Sequence, residues 1–137
     1  MAAGFFAQQK NIATAQTLPQ ARYVGGEKTL EKDLEQVQLV LGFPGLAAVH
    51  ADYYALQVFA TILGGGMSSR LFQEIRERRG LAYSVSAFAS GYQDVGLLGI
   101  YAGTTVEHLA ELTAALKEVL SSMRDGVSDA ELLRAKN

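Results

Sequence analysis

No cysteine occurs among the 137 residues, which excludes disulfides, thiolate zinc sites and cysteine nucleophiles. Histidine is almost as scarce. His50 and His108 are the two, 58 positions apart, and neither sits in H-E-x-x-H or H-x-x-E-H, the spacings that set two imidazoles on one helix face. Ser68, Ser69, Ser84 and Ser86 lack a G-x-S-x-G elbow, and the phosphate-loop spacing G-x-x-x-x-G-K-[ST] is absent. A strong charge of one sign is missing too: the formal net charge of −2 gives no global attraction for nucleic acid or anionic membranes. No apolar run reaches the roughly 18 residues of a membrane span, and MAAGFFAQQK has no basic n-region of a signal peptide.

What is present reads as one globular domain, with 49% hydrophobic residues against 19% charged. Residues 1–21 are weakly patterned, a helix remnant and linker ended by Pro19. GluGlnValGlnLeuValLeuGlyPhe (35–43) alternates at period two, with Val37, Leu39, Leu41 and Phe43 on one face; it predicts a strand closed by ProGly at 44–45. Residues 52–63 change period and predict a buried helix, with Tyr53, Leu56, Phe59, Ala60 and Leu63 on its face. Gly64 to Gly66 are expected to end it at positive φ. Ser68 or Ser69 is expected to cap a second helix over about 70–78, which Gly80 stops.

Two strands follow, 83–89 and 96–102, joined by GlyTyrGlnAspVal as an antiparallel hairpin. Thr104 with Glu107 reads as a capping box for a helix lined by Leu109, Leu112, Leu116, Val119, Leu120 and Met123, ended by Gly126. Ser128 with Glu131 reads as a second box, for a final helix of about two turns. The order β-α-α-β-β-α-α predicts an α+β fold, a mainly antiparallel sheet with helices packed on one face. The last helix has no stop signal, so the chain reads as a truncated domain.

The segment LGGGMSSRLFQEIRERRGLAYSVSAF (63–88) holds most of the chemistry. Its glycines read as a helix–helix turn. Arg70, Arg76, Arg78 and Arg79 are interleaved with Glu74 and Glu77, which favours a solvated face with i,i+3 or i,i+4 pairing over a nucleic-acid patch. One pair stands apart: Arg76 near the helix end and Tyr83 seven residues on, with Gly80 permitting a reversal between them. A guanidinium and a phenol together suit a carbonyl, an oxyanion or a peptide backbone. The plainer alternative pairs Arg76 with a neighbouring glutamate and leaves Tyr83 half-buried.

LeuGlyPheProGly (41–45), AspTyrTyrAla (52–55), the run 63–85 and GlyLeuLeuGlyIleTyrAlaGlyThr (96–104) strongly resemble the pitrilysin/insulinase zinc peptidases, in particular bacterial members similar to the mitochondrial processing peptidase. The resemblance covers roughly residues 22–137 and is to the C-terminal, zinc-free domain. It implies that 22–137 are the first part of a peptidase-like α+β domain whose sheet is incomplete, with an edge or apolar patch that invites dimerisation. It also implies a parent that hydrolyses peptides at zinc held in an N-terminal domain or partner subunit. Arg76 and Tyr83, with Phe72 as a weaker candidate, then hold the peptide substrate. This segment itself carries no catalytic residue and no metal ligand, so alone it is expected to be inactive. The competing reading is a structural or interaction domain of a non-peptidase subunit with the same fold. The compartment, bacterial cytoplasm or periplasm, is left open.

Overall fold

A computed structural model describes residues 19–136. The expected helix remnant within 1–21 lies outside the described residues except for positions 19–21, which have no regular structure. The elements are β1 (Val37–Gly45), α1 (Tyr53–Gly64), a π-helical segment (Phe72–Arg78), β2 (Ser84–Gly91), β3 (Gly96–Thr104), α2 (Leu109–Ser122), a 3₁₀ turn (Met123–Asp125) and α3 (Asp129–Lys136). The order matches the expected β-α-α-β-β-α-α, with the second helix π-wound and the 3₁₀ turn added.

The three strands form one antiparallel sheet in the order β1-β3-β2. Gly91 and Gly96 face each other at the end of the β2–β3 hairpin, which is closed by a bond from the Tyr92 amide to the Val95 carbonyl at 2.8 Å. β1 pairs along β3 from Val37↔Thr104 to Gly45↔Gly96, so it runs through Pro44 instead of stopping there. An edge strand tolerates proline, because the missing N–H can face away from the ladder.

Period-two alternation sorts the two faces. Leu39, Leu41 and Phe43 turn inward, opposite Ala102, Ile100 and Leu98 of β3, and Val85 and Ala87 of β2 lie on the same face. The helices pack there. Leu63, Leu71, Ile75, Ile100, Leu112 and Leu116 are fully buried, and Leu132 and Ala135 of α3 pack against this core. Truncating one such leucine to alanine costs about 2–5 kcal/mol. On the other face Val40 stays 63% exposed.

Two local expectations are corrected. Gly65 has φ −82°, and among the described residues positive φ occurs only at Gly80 and Gly126. The glycine at the end of α1 serves close packing instead: a Cβ on Gly64 would lie 2.3 Å from the backbone nitrogen of Ala87 in β2. Ser69 caps nothing. Its buried hydroxyl donates to the Gly66 carbonyl at 2.5 Å, tightening the turn.

Candidate functional site

The π-helical segment is held to the core by Ile75, which is fully buried, and is followed by Gly80 at φ +63°. The Gly80 amide donates to the Arg76 carbonyl at 3.2 Å, and the Leu81 amide reaches back to the Ile75 carbonyl at 2.9 Å. These bonds close the helix end and turn the chain toward β2, as a left-handed glycine after a helix does. Leu81 and Ala82 then bury their side chains, while the next residue, Tyr83, is 65% exposed. Arg76 likewise follows buried Ile75 and faces solvent. Each candidate side chain thus projects outward from backbone whose immediate neighbour is locked in the core.

β3 fixes the far side of the turn. The Tyr83 amide donates to the Gly103 carbonyl at 3.0 Å. The hydroxyl of Thr104, completely buried, donates to the Leu81 carbonyl at 2.6 Å. Thr104 is therefore no helix cap: it is the last residue of β3, and α2 starts at Leu109 without a side-chain cap. The Ser128–Glu131 box does form. The Glu131 amide donates to the Ser128 hydroxyl at 3.3 Å, and the Ser128 amide donates to a Glu131 carboxylate oxygen at 2.8 Å.

The arginines divide sharply. Arg70 grips Glu131 through two bonds, Nε to Oε1 at 2.6 Å and Nη2 to Oε2 at 3.0 Å. It also donates to the Ser122 and Gly126 carbonyls at 2.9 and 2.8 Å. That arginine holds Glu131 well below the usual carboxylate range, at about 2. Arg78 and Arg79 both bind Glu74 at 2.9 Å, and Arg79 also reaches Glu118 at 2.5 Å. Glu74 is lowered chiefly by its bond to Arg79. Only Arg78–Glu74 is the expected i,i+4 pair; Arg70 pairs with Glu131 of α3, and Arg79 adds Glu118 of α2 to Glu74 of its own stretch.

Arg76 has no carboxylate partner among the described residues. Its guanidinium lies over the Phe72 ring, 4.8 Å from the centroid, within cation–π range. The plainer expectation for the pair, Arg76 tied to a glutamate and Tyr83 half-buried, is corrected on both counts. Arg76 and Phe72 are in contact, and Tyr83 follows across the turn at Gly80 with its side chain exposed. Stacking leaves the in-plane N–H donors of Arg76 available, and the exposed phenol adds one donor and one acceptor. Each of these donors is of a kind that suits a carbonyl or carboxylate oxygen.

Zinc does not fit the donors present. Among the described residues no group of three His, Asp or Glu side chains is placed to hold a metal. His50 accepts the Asp52 amide through Nδ1 at 3.1 Å, and His108 sits exposed at the start of α2. No helix among the described residues is long and apolar enough to cross a membrane.

Residues 1–137 match the protein-family model described as "Peptidase M16 inactive domain". An uncharacterized zinc protease of Rickettsia felis is 44% identical over 132 residues, covering 96% of this chain and 32% of that protein. One of Bacillus subtilis is 47% identical over 109 residues, covering 79% and 27%. The crystal structure of a peptidase M16 inactive domain from Pseudomonas fluorescens superposes with a TM-score of 0.70 at 32% identity, over 74% of this chain and 25% of that one. The chain spans about a third or less of the length of these curated relatives.

Proposed function

The chain belongs to the peptidase M16 inactive-domain family, and from that premise we propose that it is the substrate-holding, zinc-free part of a metallopeptidase that hydrolyses peptides. In this reading residues 22–137 are the first part of the C-terminal domain, and the metal is supplied by an N-terminal domain or a partner subunit, with the protein assembled as a dimer. Arg76 and Tyr83 donate to a peptide carbonyl and to the oxygen that gains charge as the bond is attacked, and Phe72 backs the guanidinium. Donors fixed before the substrate arrives cost no reorganisation at the moment of reaction.

One observation carries the proposal. In a stretch where Arg70, Arg78 and Arg79 each find a carboxylate, Arg76 finds none among the described residues and is held ready on an aromatic face.

The test uses the full-length protein with an unfolded peptide as substrate. Arg76→Ala and Tyr83→Phe are each expected to lower kcat/KM by about 10²-fold, the size of losing one preorganised oxyanion donor. Stability should change by less than about 0.5 kcal/mol, as for other exposed sites. Unchanged turnover in both variants would sink the reading and favour a scaffold domain of the same fold.

A further inference from the structure

Two polar residues are buried among those described, Ser69 and Thr104. The Ser69 hydroxyl serves a carbonyl three residues away. The Thr104 hydroxyl crosses 23 residues of sequence to a single acceptor, the Leu81 carbonyl. Burying a hydroxyl costs free energy that one bond only offsets. A valine would fill the same β-branched volume at the end of an apolar strand without that cost. The hydroxyl is therefore explained by what it holds.

It holds the turn that carries Tyr83. Within three residues, the Leu81 amide binds the Ile75 carbonyl, the Leu81 carbonyl takes the Thr104 hydroxyl, and the Tyr83 amide binds Gly103. Leu81 thus links the residue before Arg76 to the end of β3, and adjacent residues of β3 grip both ends of the segment 81–83. Among the described residues the Leu81 carbonyl has no other donor. Without Thr104 the only bond on the β3 side would be the Tyr83 amide itself.

We propose that Thr104 is the positioning residue of the site: through the Leu81 carbonyl its buried hydroxyl fixes the direction in which the Tyr83 phenol leaves the turn, relative to Arg76. This rests on the peptide-holding role given to Arg76 and Tyr83 above. Thr104 touches no substrate; it acts through the backbone of the turn.

The experiment compares Thr104→Val and Thr104→Ser in the full-length protein, alone and with Tyr83→Phe, reading peptide turnover and amide hydrogen exchange. Thr104→Val should lower kcat by about 10-fold or more with a smaller change in KM, because groups that act as a unit lose transition-state stabilisation together. Thr104→Ser should stay within about twofold of the parent, since it keeps the hydroxyl. In the Tyr83→Phe background Thr104→Val should add less than about twofold, the non-additivity expected of coupled residues. The Tyr83 amide should exchange about 10-fold faster in Thr104→Val while the Ile100 amide is unchanged.

Fully additive losses, or a Tyr83 amide unaffected by the valine, would overturn the proposal. Unchanged turnover in Tyr83→Phe and Arg76→Ala would instead remove the peptide-holding role, and the exchange measurement would still decide whether Thr104 orders the turn. Should Thr104→Val fail to fold, Thr104→Ala decides by the same exchange measurement. A Tyr83 amide that exchanges faster there but not in Thr104→Ser supports the clamp, and equal exchange in both overturns it.

Discussion

Arg70 and Arg76 lie in one helical stretch and meet opposite fates. Arg70 is 20% exposed and spends its donors on Glu131, Ser122 and Gly126, tying the start of the stretch to the end of α2 and the start of α3. Arg76 has no carboxylate partner among the described residues and rests on Phe72. The same side chain is a strut in one place and an unspent donor array in the other. What separates them is the surroundings: the strut sits where two helix ends leave carbonyls to satisfy, and the free one follows a fully buried residue at the rim of the core.

The largest effect should come from cutting the strut. Arg70→Met leaves a mostly buried carboxylate without its cation and removes a donor from two carbonyls. It should cost about 2–4 kcal/mol in urea unfolding. Arg76→Ala, measured alongside, should cost almost nothing. Equal costs for the two variants would erase the contrast and make Arg76 a structural residue as well.

Acid sharpens the same contrast. Glu131 titrates at about 2 in the fold, below its usual 4.5, so the folded state binds its proton less readily than the unfolded chain does. Its contribution is therefore fully present above about pH 4.5 and is lost as the pH falls toward 2. The cost of Arg70→Met should shrink by about 1–2 kcal/mol between pH 6 and pH 2.5. A cost that is flat over this range would mean that Arg70 acts through the two carbonyls and not through Glu131. Ser128 complicates nothing here, because its bonds to Glu131 stay in both proteins.

Which of these features the sequence discloses follows from where each partner lies. Strand β1 is legible because alternation is written in consecutive residues, and β3 because it is a short, nearly all-apolar run. The Ser128–Glu131 box is legible because both members lie within one turn. Thr104 fits the same box pattern, yet its hydroxyl bonds a carbonyl 23 residues earlier, since apolar pairing carries β3 through Thr104. Arg70 looks like a solvated charge because its partner is 61 residues away. Gly64 shows a helix-ending glycine, but the reason for it is Ala87, on a strand not yet reached. Nothing in the composition of 72–78 announces π-winding. Arg76 and Tyr83 stand out in the sequence by spacing and family resemblance; the freedom of Arg76 shows only once every nearby glutamate is placed.

The smallest effect tests what the free arginine rests on. Phe72→Leu keeps an apolar side chain but removes the π face under the guanidinium. An exposed cation–π contact is worth about 0.5–1 kcal/mol, so in the full-length protein peptide turnover should fall by only about two- to fivefold. The loss should vanish in an Arg76→Ala background, since the ring acts through the cation. Thermal stability should barely differ between Phe72→Leu and the parent, because the half-buried position keeps its apolar contacts. A loss as large as that of Arg76→Ala, persisting in its absence, would make the ring itself the surface that meets the peptide. The difference between Arg70 and Arg76 would then lie in the aromatic wall rather than in an unspent cation.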